Sequence, residues 1–238
     1  SRLTNLQVLV SSGGNGITDL SPLSRLTNLQ VLAFLGDEGI TDLSPLSRLT
    51  NLQVLAFLGS EGITDLSPLS RLTNLQVLAL LESGGIAELS PLYNLTNLQV
   101  LALKYKMFLE NDGKEREAID LSPFFKIDKL KILSISNINV YDLMPLSNLI
   151  NLQILNIVEA QVSDLSPISG LKNLKELKFS STQVSDLSPI SGLKNLKELK
   201  FSSTNVSDLS PISGLKKLKK LEFSSTQVSD LSPISGLK

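Results

Sequence analysis

Acidic side chains recur at one fixed place in a repeating segment of this chain, Asp/Glu-Leu-Ser/Met-Pro. A column of carboxylates could ligate a metal ion or transfer protons. Each of them, however, stands two residues ahead of a Ser-Pro or Met-Pro pair that starts a short helix, where a carboxylate accepts backbone N–H bonds. Recurrence in every repeat favours this scaffold role over a unique site. The residues are Asp19, Asp42, Asp65, Glu88, Asp120, Asp142, Asp164, Asp186, Asp208 and Asp230.

Two absences remove most other site chemistry. The chain contains no histidine and no cysteine, which excludes a serine–histidine couple, a thiolate nucleophile and a zinc site built on those ligands. The net charge is −1, so no global basic field attracts nucleic acid. No apolar run reaches the roughly 20 residues that span a bilayer. We therefore expect no catalytic residue, metal, cofactor, nucleic acid or membrane insertion. The compartment stays open, since a bacterial surface or secreted protein and a cytoplasmic one are both compatible.

The elements that position these residues follow a strict period. All ten prolines stand in a Leu-x-Pro context, spaced by 23, 23, 23, 32 and then five times 22 residues. A period in the twenties is typical of a solenoid. We expect a single solenoid of about ten repeats over 1–238, with mainly 23-residue repeats in 1–103, an insertion in the fifth repeat at 104–120, and 22-residue repeats in 121–238. Neither end shows a capping repeat, so we expect a fragment of a longer chain.

One repeat predicts a strand, a turn and a short helix. The leucine pattern of the second repeat places Leu32 and Phe34 on the same side of a short strand. Gly, Asp, Ser and Thr then favour a turn. Ser44 is expected to be the N-cap of a helix and Pro45 its first residue, and Asn28 is expected in the left-handed conformation that ends the helical turn.

The pattern LxxLxxLxLxxNxIxDLxPL, as in the segment LINLQILNIVEAQVSDLSP from Leu149 to Pro167, resembles the 22-residue class of leucine-rich repeats found in bacterial internalins. The resemblance covers essentially the whole chain. It implies an α/β repeat fold, a right-handed solenoid with a concave parallel β-sheet and short helical or 3-10 turns on the convex side. It also implies that the concave sheet binds other proteins. The asparagine of the pattern is replaced by Thr182, Thr204 and Thr226, which interrupts the hydrogen-bond ladder that this asparagine implies.

Apolar residues flank the core positions of the first strands and are predicted to face outward, where they would form a docking surface for a partner. The alternatives are that duplication spread a strand-favouring V-x-A-x-L segment, or that a missing part of the chain covers it. Loops on a rigid scaffold often bind partners, so the insertion adds two aromatic candidates. The predicted partner-binding residues are Val31, Ala33, Leu35, Val54, Ala56, Leu58, Val77, Ala79, Leu81, Tyr105 and Phe108.

The same outward columns are charged in the last three repeats, with Glu176, Lys178, Glu198, Lys200, Lys220 and Glu222. Diagonal pairing between the columns is the simpler interpretation, and a polar partner surface is the alternative. A lysine-rich segment, 216–222, is interpreted as a solvated edge, with binding to nucleic acid or an anionic membrane as the alternative.

These features predict a non-enzymatic scaffold that recognises a protein partner through the concave sheet, with a contribution from the insertion at 104–118. One alternative is a structural module that self-associates through uncapped ends or through its apolar face. Another is the recognition segment of a larger enzyme or surface protein.

Overall fold

A computed structural model describes residues 4–13, 16–36, 39–59, 61–106 and 118–237. The chain clusters into two compact units, residues 1–115 and 116–238, and each is described by itself. Residues 107–117, the larger part of the predicted insertion, lie outside the described residues. The extent of one solenoid over 1–238 stays a prediction.

The first unit repeats a strand and a 3-10 helix. Its strands pair in parallel, each with the next along the chain. The strands are β1 (Val8–Ser12), β2 (Val31–Leu35), β3 (Val54–Leu58), β4 (Val77–Ser83) and β5 (Val100–Tyr105), and the 3-10 helices are η1 (Ser21–Leu23), η2 (Ser44–Leu46), η3 (Ser67–Arg71) and η4 (Ser90–Asn94).

The second unit has the same construction. The strands are β6 (Ile132–Ser136), β7 (Ile154–Val158), β8 (Glu176–Ser180), β9 (Glu198–Ser202) and β10 (Lys220–Ser224), again parallel and paired in chain order. The 3-10 helices are η5 (Ser122–Lys126), η6 (Met144–Leu146), η7 (Ser166–Ile168), η8 (Ser188–Ile190), η9 (Ser210–Ile212) and η10 (Ser232–Ile234). The predicted α/β repeat with a parallel sheet and 3-10 turns is confirmed.

The core consists of columns of identical or similar side chains. In β2 and β3, Leu32 pairs with Leu55 and Phe34 with Phe57, and all four are buried. Because side chains alternate between the two faces of a strand, their neighbours face away from the core. We call this opposite side the outer sheet face. In-register pairing means that each repeat buries its leucines against the adjacent repeats.

Asparagine side chains connect adjacent repeats, and the left-handed conformation predicted for Asn28 is wrong. Asn28 is not among the residues with positive φ; its side-chain amide donates to the carbonyl oxygen of Thr4, one repeat earlier, at 2.9 Å. The same bond recurs from Asn51 to Thr27 and from Asn195 to Lys172. The side chain satisfies a turn carbonyl that would otherwise lack a partner, so the residue is selected for a contact rather than for its backbone conformation.

Except after β4 and β5, the residue that follows each strand has a positive φ. In the 23-residue repeats it is glycine, as at Gly36 with φ 106° and Gly59 with φ 92°. In the 22-residue repeats it carries a side chain, as at Ser181 and Ser203, both with φ 52°. Each of these backbone N–H groups donates to a carbonyl at or near the end of the following strand, for example Ser203 to Ser224 at 2.9 Å. This bond closes the strand and explains why a conformation unfavourable for serine is kept.

In three repeats, the position that holds asparagine in the family pattern carries a buried hydroxyl without a hydrogen-bond partner. This was predicted for Thr182 and Thr204, whereas the Thr226 hydroxyl accepts the Val228 N–H. Within the described residues, the buried side-chain oxygens without a partner are those of Ser83, Thr182 and Thr204. All three occupy the position five residues after the first buried strand leucine. A hydroxyl is too short to make the bonds of an asparagine amide from this position.

The stacked phenylalanine column gives a first prediction. Phe201 is fully buried and stacks between Phe179 and Phe223, with ring centroids 5.4 Å apart on both sides. Phe201→Ala should lower the free energy of unfolding by about 3–5 kcal/mol, because it opens a cavity in a close-packed interior. Urea denaturation measures the change. Phe125→Ala, at a half-exposed position, is the control and should cost much less; equal costs would contradict the core assignment.

The unpaired threonine column gives a second prediction. Thr204→Val keeps the shape of the side chain and removes a buried hydroxyl without a partner, so it should raise the free energy of unfolding by about 1–3 kcal/mol. Thr226→Val is the control, because the Thr226 hydroxyl accepts the Val228 N–H at 3.4 Å and its loss should bring no gain. A loss of stability in Thr204→Val would show that the hydroxyl is bonded in solution.

Candidate functional site

The outer sheet face of the first unit carries three apolar columns, which we call the apolar sheet face. The columns follow the strand register, so valine pairs with valine and alanine with alanine from β2 to β5, while leucine pairs with leucine from β2 to β4. Leu35 is 41% exposed and Leu58 39%, which confirms that the strand alternation was predicted in the right register. The columns are Val31, Val54, Val77 and Val100; Ala33, Ala56, Ala79 and Ala102; and Leu35, Leu58 and Leu81.

The middle column makes this surface a shallow groove. Ala33 is buried, and Ala56 and Ala79 are half-buried, whereas the valines and leucines on either side have longer side chains. Residues two apart in a strand are separated by about 6.6 Å, and adjacent strands by about 4.8 Å. The groove is therefore about 13 Å wide between its valine and leucine walls, with alanine as its floor, and it crosses the strands.

Polar groups border the groove on both sides. Glutamines precede the valine column, and Gln99 contacts Gln76 through an amide–amide hydrogen bond of 3.5 Å. On the opposite side, Lys104 takes the leucine position in β5 and pairs with Glu82 at 3.0 Å, and Lys106 pairs with Glu61. An apolar centre with a polar rim is the usual anatomy of a protein–protein interface.

Of the two aromatic residues predicted to bind a partner from the insertion, the structure describes only Tyr105. Tyr105 is only 5% exposed, and its hydroxyl donates to the carbonyl oxygen of Ile86 at 2.6 Å. It is the last residue of β5 and alternates inward, so it belongs to the repeat core and does not present a surface to a partner. Continuing the strand alternation from Leu101 and Leu103 would have placed it correctly. Phe108 lies outside the described residues.

The aspartate column is part of the scaffold. In nine repeats the aspartate Oδ1 accepts the backbone N–H of the residue two positions on, at 2.7–2.8 Å. Ser44, predicted to be a helix N-cap, is instead the first residue of η2, and Leu43 precedes it. Its N–H is an orphan donor of the helix start, which the Asp42 carboxylate satisfies. Among the described residues, no three acidic side chains are grouped so that they could hold a metal ion.

Hydrogen bonding lowers the pKa values of several aspartates in this column. The Ser166 hydroxyl and then the Ser166 backbone N–H hold the pKa of Asp164 below its ordinary value, and Ser210 does the same for the pKa of Asp208. Donors to a carboxylate favour its charged form. The effect is local to each turn and links the column to stability rather than to catalysis.

The charged columns of the second unit pair only in part. Lys200 and Lys220 both contact Glu222, at 3.1 and 2.9 Å, which follows the reversed order of charges in β10. In contrast, Glu198 faces Glu176 and Lys178 faces Lys200 across β8 and β9. These four side chains line a shallow depression with Asn156. Charges therefore pair directly across β9 and β10 and within β10, not diagonally as the sequence predicted, and among the described residues no ion pair joins β8 to β9.

A family model described as Leucine Rich repeats (2 copies) matches residues 194–236. A solved internalin, inlF of Listeria monocytogenes str. 4b F2365, superposes with a TM-score of 0.82 at 30% identity, covering 99% of this chain and 66% of that chain. The chain is an internalin-like leucine-rich-repeat protein. It spans slightly less than two thirds of that internalin's length.

Other leucine-rich-repeat structures share the fold of this internalin-like protein at lower identity. The functional domain of InlJ from Listeria monocytogenes has a TM-score of 0.67 at 22% identity, over 99% of this chain and 53% of that chain. The ectodomain of the Arabidopsis thaliana receptor kinase GASSHO1/SCHENGEN3 has a TM-score of 0.76 at 21% identity, over 93% of this chain and 27% of that chain. A search of curated protein sequences found no match. No helix within the described ranges could cross a membrane.

The aspartate column gives a prediction on acid stability. A pKa lowered by folding stabilises the protein above the ordinary value of 3.8, and this stability is lost as the pH falls through the folded pKa. Replacing Asp164, Asp208 and Asp230 together by asparagine keeps an acceptor oxygen but removes the titration. The free energy of unfolding at pH 7 should be lower than in the wild type, because the neutral amide lacks the charge that the serine donors stabilise, and its decrease between about pH 5 and pH 2.5 should be smaller.

Urea denaturation at a series of pH values measures this decrease. The matched control replaces Glu159, an exposed acidic residue outside the column, by glutamine. An effect as large as that of the triple variant would show that the change is not specific to the column. A triple variant with the acid dependence of the wild type would contradict the assignment.

Proposed function

We propose that this chain is a non-enzymatic recognition scaffold that binds a protein partner on the apolar sheet face. The observation that carries the proposal is the exposure of Leu35 and Leu58 beside a floor of alanines, on strands whose opposite side is fully buried. The groove measures about 13 Å by the width of four strands, about 15–20 Å. A standard interface buries about 800 Å² on each partner, so this groove suits the apolar centre of such an interface, with the glutamines and ion pairs at its rim.

The scaffold suits recognition because it is rigid where the partner would contact it. Every residue of the groove belongs to a strand that is hydrogen-bonded in register to its neighbours. A preformed apolar surface loses little conformational entropy on binding. A related architecture, the GASSHO1/SCHENGEN3 ectodomain, was solved in complex with CASPARIAN STRIP INTEGRITY FACTOR 2, which supports the use of this fold for holding a partner.

The partner expected from this chemistry presents an apolar strip to the groove. Small or branched aliphatic side chains would reach the alanine floor, and the leucine and valine walls would enclose them. The favourable binding would come chiefly from the central residues, as in other interfaces. The two inner strands of the groove are β3 and β4, so the expected centre consists of Val54, Ala56, Leu58, Val77, Ala79 and Leu81.

The test places two charges in the groove. Leu35→Glu with Leu58→Glu should weaken binding of the partner by more than tenfold, because both carboxylates would be desolvated at the interface. Both side chains point away from the core, so the circular dichroism spectrum and the melting temperature should not change. The partner is recovered on the immobilised wild-type chain, and its affinity for the wild-type and variant chains is then measured directly.

The matched control is Met144→Glu with Ile150→Glu, which adds the same charges at exposed apolar positions on the 3-10 side of the second unit. It should bind within twofold of the wild type. Equal weakening by both variants, or an unchanged affinity of the groove variant, would refute the proposal. Light scattering over a range of concentrations addresses the alternative of self-association: a mass that rises with concentration, and does so only when the groove is intact, would favour it.

A further inference from the structure

We infer that the second unit carries a separate binding site for a sulfated polysaccharide. The site lies on the edge formed by the segments that lead into strands β8, β9 and β10. The site, which we call the lysine edge, consists of two columns of lysines in three consecutive repeats. The columns are Lys172, Lys194 and Lys216, and Lys175, Lys197 and Lys219. All six side chains are exposed.

The spacing of the lysine edge is fixed by the sheet. Lys175 and Lys197 immediately precede β8 and β9, and their backbone N–H groups continue the inter-strand ladder, Lys197 donating to Lys175 at 2.7 Å. The backbone positions of neighbouring lysines in this column are therefore held at about the strand spacing of 4.8 Å. The six positive charges lie within an area of roughly 10 Å by 10 Å. They produce a local positive potential that the net charge of −1 for the whole chain does not indicate.

The six lysines are not neutralised by acidic neighbours. Within the described part of the chain, none of them is within 4.0 Å of an aspartate or glutamate oxygen. Glu176 and Glu198 follow two of the lysines in sequence, but they line the depression on the outer sheet face. The aspartates of these repeats accept backbone N–H groups of their own turns, Asp186 from Ser188 and Asp208 from Ser210.

Backbone carbonyls orient part of the lysine edge. The Lys172 ammonium donates to the carbonyl oxygen of Ser169 at 2.6 Å, and that of Lys194 to Gly214 at 3.3 Å. The ammonium of Lys172 occupies the space that a Cβ at Gly192 would need, since the two would be only 2.7 Å apart. Each of these ammonium groups has three donors, so hydrogens remain for a ligand after the carbonyl contact.

The chemistry of the edge selects among anionic ligands. The segments 169–175, 191–197 and 213–219 contain no aromatic residue, so bases of a single-stranded nucleic acid have nothing to stack on. Their leucines are buried, so nothing inserts into a lipid surface. Lysine provides point charges without the bidentate geometry of arginine. A chain of sulfate groups on a hydroxyl-rich backbone fits these two columns of point charges.

The test uses the full chain and a heparin-derived hexasaccharide as the probe. Replacing Lys172, Lys194 and Lys216 together by glutamine should weaken binding at least tenfold in isothermal titration at physiological salt. The matched control replaces Lys178, Lys200 and Lys220, the lysines of the outer sheet face in the same repeats, and should change the affinity less than twofold. Both variants lose three charges, and circular dichroism checks that both are folded.

Three results would overturn the inference. One is the absence of binding to the sulfated probe, or equal binding to its desulfated form. Another is equal weakening by the two triple variants, which would indicate attraction by charge alone. The third is tighter binding, through the same lysines, of a 12-nucleotide single strand of DNA or of phosphatidylserine vesicles, which would assign the edge to another class of ligand. The apolar sheet face is not altered by either variant, so failure here leaves the proposed protein-binding function untouched.

Discussion

Every repeat of this protein depends on burying its leucines against the repeats beside it. One repeat offers a strand of about five residues and a single turn of 3-10 helix, which cannot enclose a core. In-register parallel pairing removes the inward leucine and phenylalanine columns from water, and each buried side chain contributes about 1.5–3 kcal/mol. The asparagine and aspartate bonds then satisfy the turn groups that this stacking leaves open. The same stacking organises the surface, because the outward side chains at equivalent positions of successive repeats line up in columns.

The fold could be predicted from the sequence because its signals are local and repeated. The proline period, the paired Leu32 and Phe34, and the turn residues all indicated strand, turn and short helix, and the structure confirms them. Ser44 and Asn28 were misplaced for the same reason: each was assigned a role by propensity within one repeat. The Asp42 carboxylate accepts the N–H at the start of the helix, which is the role that had been assigned to the Ser44 side chain. Asn28 bonds to the preceding repeat, and the sequence of a single repeat does not reveal a contact between repeats.

The candidate site was predictable to the extent that strand alternation fixes direction. The outward direction of Leu35 and Leu58 follows from their sequence positions alone. The recessed alanine floor does not, because it depends on how the longer valine and leucine columns stand on either side of it. Tyr105 was misplaced because it was counted with the insertion rather than with β5. In the sequence, only the last repeat of the lysine edge was recognised as a lysine cluster. The structure aligns three repeats, and this alignment places their lysines in two columns.

The near-identity of neighbouring repeats has a consequence for how these surfaces change. Residues 24–46 and 47–69 differ only at Asp37 and Ser60, and residues 169–190 and 191–212 only at Gln183 and Asn205. Unequal recombination between such copies would add or delete a whole repeat while re-forming every inter-repeat bond. The groove would gain or lose one strand, or the lysine edge one pair of charges. The number of repeats therefore sets the length of each recognition surface, in steps of about 4.8 Å. A longer surface requires no new type of side chain.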